Sequence, residues 1–118
     1  DMTGFKEVND TYGHLMGDAA LQAASLCVRD SLRESDFVAR FGGDEFVVLM
    51  PETGVEEAAA ATSRISEKLV KVRVSGIPLK LTAHFGLSRY PEDGKKLAAV
   101  LKKADDRMCE EKTRPGNN

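Results

Sequence analysis

The sequence predicts a single α+β domain, with an antiparallel-centred sheet flanked by helices, over residues 1–118. Three observations support this prediction. The length fits one compact domain, apolar residues recur at helical spacing in three separate segments, and the predicted strands come in pairs joined by short glycine-containing turns. The resulting order of loop, helix, two strands, helix, two strands and helix is typical of the α+β class.

The first half of the chain is predicted to contain a loop, a helix and a hairpin. Residues 1–17 are rich in Gly, Asn, Asp and Thr, which favours loop and turn structure. Asp18 is a good N-cap for the apolar helical pattern that follows it. We then expect strands at residues 37–41 and 45–50, the second largely buried, with Gly42, Gly43 and Asp44 as the hairpin turn.

The second half repeats the alternation. Apolar residues from Val55 to Leu69 predict an amphipathic helix. Residues 70–74 and 79–87 are predicted strands joined through a Ser-Gly-Ile-Pro turn. A last helix is marked by the spacing from Leu97 to Met108, and we expect Pro115-Gly116 to end it.

Composition excludes several classes of protein. A hydrophobic fraction of 42% with 31% charged residues is typical of a globular domain and argues against disorder. A formal net charge of -2 argues against a module that binds the nucleic-acid backbone. Cys27 and Cys109 form no disulfide framework and suggest reduced thiols, and there is neither a signal peptide nor an apolar run of membrane-spanning length. We therefore expect a cytoplasmic domain, which a membrane anchor elsewhere in a full-length protein would not contradict.

The start of the chain carries its own expectation. It opens on an acidic residue in a loop-like segment, and a sheet built around the 37–50 hairpin would take one more strand upstream. We therefore expect the domain to be N-terminally truncated.

The turn at residues 42–45 is the most informative segment. Two adjacent glycines allow positive φ and the close approach of a ligand. Asp44 and Glu45 follow, and two carboxylates held together repel each other unless a cation lies between them. Mg²⁺ suits this position, because it takes oxygen ligands and usually shares them with substrate phosphates. The alternative is a polar turn with solvated acids, and spacing alone does not decide between the two.

A second polar cluster lies near the N-terminus. An Asp that accepts hydrogen bonds from the guanine edge would select guanine over adenine, and a lysine such as Lys6 is a candidate phosphate partner. The alternative is a polar loop with a helix cap and a structural histidine. The members of the cluster are Asp1, Lys6, Asn9, Asp10, His14 and Asp18.

Taken together, Phe5–His14, Gly17–Asp18 and Arg40–Phe46 resemble the GGDEF family, the diguanylate cyclase domains. Further matching positions, which extend the resemblance over essentially the whole chain, are Leu81-Thr82, Gly86 and Ala104-Asp105. The resemblance implies a nucleotidyl-cyclase-like, ferredoxin-like palm that lacks its N-terminal helix and first strand. It also implies that two domains, each holding one GTP, face each other as a homodimer and form cyclic di-GMP and two pyrophosphates.

The resemblance assigns catalytic and metal-binding roles. Asp1, Asp44, Glu45 and the backbone carbonyl of Met2 are implied ligands of Mg²⁺ or Mn²⁺. Asp44 is also implied to help deprotonate the attacking hydroxyl group. Lys6 is implied to stabilise charge on the phosphates.

It assigns binding and regulatory roles as well. Asn9 and Asp18 are implied to bind guanine, with His14 near the nucleotide and Lys112 on a phosphate. The RxxD sequence of residues 33–36 is implied to be an inhibitory site for the product cyclic di-GMP. Its implied members are Arg33, Asp36 and, from a neighbouring helix, Arg64.

Three functions follow in order of preference. The first is an active, Mg²⁺-dependent diguanylate cyclase controlled by an upstream sensory or receiver domain. The second is a catalytically silent receptor that binds GTP or cyclic di-GMP, for which the RxxD site would serve equally well. The third, a transferase acting on nucleic acid, is disfavoured by the near-neutral charge.

Overall fold

The computed structural model describes residues 1–113, which contain four helices and six strands in the order β, α, α, β, β, α, β, β, β, α. The helices are Phe5–Tyr12 (α1), His14–Asp30 (α2), Val55–Leu69 (α3) and Leu97–Thr113 (α4). The strands are Met2–Thr3 (β1), Phe37–Phe41 (β2), Glu45–Leu49 (β3), Arg73–Val74 (β4), Ile77–Pro78 (β5) and Thr82–Ala83 (β6). The predicted α+β class is confirmed. The chain divides into two compact units, Asp1–Ala83 and the segment from His84 onward.

All strand pairings in the described residues are antiparallel, as predicted, and they form three separate two-stranded sheets. β2 pairs with β3 in the register Phe37 to Leu49 and Phe41 to Glu45, which confirms the predicted hairpin. β1 pairs with β6, and β4 pairs with β5. The strands predicted at 70–74 and 79–87 shrink to paired segments of two residues each.

The prediction of a loop over residues 1–17 is wrong, because two helices occupy most of this segment. Gly4 and Gly13, with φ of 98° and 92°, mark the start of α1 and the break between α1 and α2. Gly17 donates its amide to the Gly13 carbonyl at 3.1 Å, so helical bonding begins before Asp18. The N-cap role predicted for Asp18 is therefore also wrong, since Asp18 lies inside α2.

The core of the first unit lies where α2, α3 and the segment leading into β6 meet. Leu69 and Leu81 are fully buried, and burying one leucine contributes about 1.5–3 kcal/mol. The inward faces of α2 and α3 otherwise carry small and medium side chains, which allows the helices to lie close together. These are Ala20, Ala24 and Val28 on α2 and Ala61 and Ile65 on α3.

The hairpin of β2 and β3 is more exposed than its sequence suggests. Phe37 and Phe41 are 65% and 52% exposed, and Leu49 is 46% exposed. Alternation in a strand places Phe37 and Phe41 on one face, together with their partners Leu49 and Glu45. The prediction that the second strand is largely buried is therefore wrong, because no residue of β3 is buried and both of its end residues, Glu45 and Leu49, are exposed.

In the second unit, a loop packs closely against α4. A Cβ on Gly86 would lie 1.8 Å from the Ala104 carbonyl oxygen, so only glycine fits there. The Arg107 guanidinium donates to both Asp93 carboxylate oxygens at 2.9 Å and to the Leu87 carbonyl at 2.7 Å. The hydrogen bond from Arg107, followed by that from the Arg89 amide, lowers the pKa of Asp93.

Helix α4 extends beyond Met108, where its predicted apolar pattern ended. The predicted Pro115-Gly116 stop lies outside the described residues. No helix within residues 1–113 has the length and apolar character needed to cross a membrane.

Candidate active and inhibitory sites

The turn between β2 and β3 presents open backbone and two acidic side chains. Residues 42–44 form the loop between paired Phe41 and Glu45, and Gly42 adopts a φ of 74°. A Cβ added at Gly42 or Gly43 would meet no described atom within 4 Å. Asp44 and Glu45 are both exposed, so the turn offers acidic oxygens beside backbone that a ligand can approach closely.

One backbone hydrogen bond joins this turn to the start of the chain. The Met2 amide donates to the Asp44 carbonyl at 2.8 Å. Met2 is 4% exposed, and its strand is held on the other side by pairing with β6 and by a hydrogen bond between the Thr3 and Thr82 hydroxyls. The structure therefore brings Asp1, Met2 and Asp44, predicted from distant parts of the sequence, to one place.

The acidic groups do not form a closed metal cage. Within residues 1–113, no group of three or more His, Cys, Asp or Glu side chains is arranged to hold a metal ion. The available donors are nevertheless all oxygens, which is the ligand type that Mg²⁺ prefers. Mg²⁺ commonly takes one or two carboxylates and completes its shell with water and substrate phosphates, so this donor set fits it.

The second predicted cluster is built around the contact between α1 and α2. A Cβ on Gly17 would lie 1.7 Å from Asn9 Oδ1, so the carboxamide of Asn9 occupies the space that a side chain at position 17 would need. Asp18 follows directly and is exposed. Because Gly17 has no side chain, the Asn9 amide can lie against it, next to Asp18 in the sequence.

The remaining predicted substrate residues lie on helix ends. Lys6 is exposed in the first turn of α1, and His14 is the exposed first residue of α2. Asp10 is exposed on α1. Lys112 lies in the last turn of α4, in the second unit, and its predicted contact with phosphate stays a prediction.

The RxxD sequence forms a closed turn between α2 and β2. The Asp36 carboxylate accepts a hydrogen bond from the Arg33 amide at 2.9 Å and a salt bridge from Arg33 Nη2 at 3.3 Å. The Asp36 amide in turn donates to the Arg33 carbonyl at 3.0 Å. The Asp36 side chain is only 1% exposed, against 48% for Arg33, so the acid is buried while the guanidinium reaches solvent.

Sequence reasoning missed the contacts that hold Arg33 from the other side. Arg33 Nη2 also donates to the Pro51 carbonyl at 2.9 Å and to the Thr53 hydroxyl, which itself donates to the Pro51 carbonyl at 3.0 Å. These partners lie 18 and 20 residues away, in the loop before α3, where no local pattern signals them. Beside Arg33 is a cavity of about 420 Å³, lined by Arg29, Leu32, Arg33, Glu34, Asp36, Phe37 and Val38.

Arg64 contacts the end of α2. It donates from α3 to the Ser31 carbonyl at 3.0 Å, and the buried Ser31 hydroxyl donates to the Cys27 carbonyl. Arg64 therefore lies near the RxxD turn, and its predicted part in the inhibitory site stays a prediction. Cys27 and Cys109 are both free thiols, as predicted. Burial raises the pKa of the Cys27 thiol, although Lys68 opposes this effect.

Comparison with known proteins places this arrangement in a family. Residues 1–118 match the family model described as the diguanylate cyclase, GGDEF domain. The chain belongs to the GGDEF domain family. The family resemblance inferred from the sequence is therefore confirmed, and the exposed glycine turn with its two acids is the segment from which the family takes its name.

Curated relatives carry several activities. Cyclic di-GMP phosphodiesterase NbdA of Pseudomonas aeruginosa is 40% identical over 119 residues, covering 100% of this chain and 15% of the relative. Diguanylate cyclase DgcP of the same organism is 36% identical over 92% of this chain and 16% of the relative. Response regulator PleD of Caulobacter vibrioides is 36% identical over 95% of this chain and 26% of the relative. The chain thus spans a small part of each of these proteins.

Solved structures of GGDEF domains share the fold. The crystal structure of the GGDEF domain of YfiN (TpbB) from Pseudomonas aeruginosa superposes with a TM-score of 0.85 at 35% identity, over 95% of this chain and 71% of that one. The GGDEF domain of DgcB from Caulobacter crescentus, solved in complex with c-di-GMP, gives a TM-score of 0.82 at 26% identity, over 100% of this chain and 71% of that one.

Proposed function

We propose that this GGDEF domain is a diguanylate cyclase, which condenses two GTP molecules into cyclic di-GMP and two pyrophosphates. The observation that carries the proposal is the hydrogen bond from the Met2 amide to the Asp44 carbonyl, because it joins Asp1 to the acidic turn. Relatives such as DgcP, a diguanylate cyclase by name, support the same reaction.

The reacting groups are assigned to the open turn and to α1. The 3′-hydroxyl of one GTP attacks the α-phosphorus of the other, and pyrophosphate leaves. Asp44 helps to remove the hydroxyl proton, and Lys6, exposed at the start of α1, stabilises negative charge on the phosphates. Asp1, Asp44, Glu45 and the Met2 carbonyl would hold Mg²⁺ or Mn²⁺, which when bound neutralises phosphate charge.

Guanine recognition is assigned to the junction of α1 and α2. The Asn9 carboxamide, which lies against Gly17, and the exposed Asp18 carboxylate supply hydrogen-bonding groups for the guanine edge. An acid at Asp18 accepts from guanine N–H donors, which adenine does not present in the same pattern. His14 lies one turn before Asp18 on α2, and Lys112 is assigned to a phosphate.

The reaction needs two copies of the domain, because each copy holds one GTP and each nucleotide attacks the other. We therefore propose a homodimer for the active state. In the full-length protein, an upstream sensory or receiver domain would bring the two copies together, and the relative PleD is itself named a response regulator. Cyclic di-GMP would inhibit at Arg33 and Asp36, assisted by Arg64.

A receptor function is the second candidate. The observation that favours it is the contrast between the pre-built RxxD turn, with its buried Asp36, and the incomplete acidic turn. NbdA matches the whole of this chain and is named a phosphodiesterase. GGDEF sequences therefore also occur in proteins named for another activity.

Turnover decides between the two candidates. The full-length protein, as a dimer, is incubated with GTP and Mg²⁺ while pyrophosphate and cyclic di-GMP are followed. We expect both products in a ratio of two pyrophosphates to one cyclic di-GMP. No product, together with retained binding of cyclic di-GMP, would contradict the cyclase and favour the receptor.

A further inference from the structure

The guanidinium of Arg33 is tied to two separate segments of the chain. Its Nη2 atom donates to Asp36 in the RxxD turn and to the Pro51 carbonyl and Thr53 hydroxyl in the loop before α3. The Thr53 hydroxyl also donates to the Pro51 carbonyl at 3.0 Å, so the hydroxyl has one fixed orientation. The two segments together hold one end of a side chain that is otherwise 48% exposed.

This arrangement divides the donors of Arg33 between the protein and solvent. Nη2 carries two hydrogens, which are shared among the Asp36 carboxylate, the Pro51 carbonyl and the Thr53 hydroxyl. Among residues 1–113, no acceptor is bonded to Nη1 or Nε, and Arg33 lines the cavity of about 420 Å³. A ligand phosphate or guanine edge can therefore use those remaining donors while Nη2 stays in place.

We infer that Thr53 is a positioning residue that sets the affinity of the inhibitory site for cyclic di-GMP. The inference rests on the proposed function, in which Arg33 binds that product. An exposed arginine has many rotamers, and a ligand that must fix them binds more weakly. Thr53 is one of three acceptors that hold Nη2 before the ligand arrives, so the loss of its hydroxyl leaves only Asp36 and the Pro51 carbonyl, loosens the side chain and lowers affinity.

The test compares variants that differ in one hydroxyl group. Thr53→Val keeps the shape of threonine and removes the acceptor, whereas Thr53→Ser keeps the acceptor. Thr62→Val is the matched control, because among residues 1–113 the Thr62 hydroxyl on α3 bonds only within its own helix, to the Ala59 carbonyl. Cyclic di-GMP is titrated into each protein by calorimetry, and the thermal unfolding midpoint of each is recorded.

We expect Thr53→Val to weaken binding by about three- to tenfold, with Thr53→Ser and Thr62→Val close to the parent. Unchanged or tighter binding by Thr53→Val, or equal weakening by Thr53→Ser, would overturn the inference. Arg33→Ala separates the two levels of the argument. If it binds cyclic di-GMP as the parent does, the proposed inhibitory site itself is wrong. If only Arg33→Ala loses binding, the site stands and the role of Thr53 fails.

Discussion

The acidic turn at residues 42–45 and the RxxD turn at residues 33–36 lie at opposite ends of the same strand, β2, and they are built in opposite ways. In the acidic turn, the backbone is open and the two carboxylates are exposed. In the RxxD turn, the Asp36 carboxylate is 1% exposed and bonded to Arg33, which is bonded in turn to the loop before α3.

The two turns differ in how many of their polar groups are already paired within the chain. The RxxD turn has its polar groups paired and positioned, so a ligand finds its donors already oriented. The acidic turn holds like charges without a preformed cluster of three ligands among the described residues, so under the proposed function a cation and the GTP triphosphate would complete it. On that proposal the first site is pre-organised, and the second is assembled by its substrate.

The largest effect is expected in the acidic turn, which is the less complete of the two sites. Asp44→Asn removes an acidic oxygen from an exposed turn, so synthesis of cyclic di-GMP should fall at least about a hundredfold. The unfolding midpoint should stay that of the parent, because the backbone carbonyl of Asp44, which accepts from Met2, is unaltered. Pyrophosphate release measures the synthesis of cyclic di-GMP, and thermal unfolding gives the midpoint. Full activity in this variant would remove the contrast between the turns.

The next effect concerns the pre-organised turn. Arg33→Ala deletes the guanidinium of a residue that lines the cavity, so the inhibition constant for cyclic di-GMP should rise about tenfold or more. The initial rate at low product should not change, because within residues 1–113 the hydrogen bonds of Arg33 go only to the RxxD turn and to the loop before α3. Progress curves with and without added product give both quantities. Inhibition equal to that of the parent would argue that the product binds elsewhere.

A smaller effect tests whether the guanine site depends on packing. Gly17→Ala places a Cβ where Asn9 Oδ1 now lies, so the carboxamide must move or the helices must separate. We expect the free energy of unfolding to change by less than about 1 kcal/mol, because only the end of the flexible Asn9 side chain has to move and alanine has a higher helix propensity than glycine. GTP affinity should nevertheless fall, because the Asn9 carboxamide is displaced. Gly54→Ala is the control, because a Cβ there meets no described atom within 4 Å. Parent-like GTP affinity in Gly17→Ala would separate Asn9 from guanine binding.

The smallest effect is expected at an ion pair outside both turns, between Asp93 and Arg107. Hydrogen bonds from Arg107 and the Arg89 amide hold the pKa of Asp93 below its ordinary value of 3.8. The ionised carboxylate therefore stabilises the folded state above that value, and this contribution is lost as the pH falls through the lower folded-state pKa. The stability difference between the parent and Asp93→Asn should be constant near neutral pH and shrink in acid.

The control for that pH dependence is Glu92→Gln. Glu92 bonds Arg89 at 3.2 Å, but both side chains are about half exposed, and exposed pairs contribute little. Denaturant unfolding at several pH values measures both variants. A stability difference for Asp93→Asn that persists unchanged in acid would contradict the role given to the pair.

The sequence predicted those features that depend on local pattern. The hairpin, α3 and the start of α4 follow from periodicity and from Gly42, Gly43 and Pro51, and they lie where predicted. The loop predicted for residues 1–17 failed because Gly4 and Gly13, taken as signs of irregular structure, instead delimit two helices. Burial of Val8 stabilises α1 despite its polar residues, and burial is a tertiary effect that composition does not show.

The candidate sites divide in the same way. Asp44, Asn9, Asp18 and Arg33 belong to motifs of fixed spacing, so the sequence was enough to single them out. The Met2–Asp44 hydrogen bond and the contacts of Arg33 with the loop before α3 join distant segments. Only the folded chain reveals such contacts, because no local spacing encodes them.

The two glycines of the acidic turn differ in whether the backbone conformation requires glycine. Gly42 has a φ of 74°, in the left-handed region that strongly favours glycine over residues with a side chain. Gly43 has no such reason: its φ is outside the left-handed region, and a methyl group there would touch no described part of the chain. Packing within residues 1–113 therefore imposes no requirement for glycine at position 43. Under the proposed function, the bare backbone there would let the nucleotide approach the turn more closely than a side chain would allow.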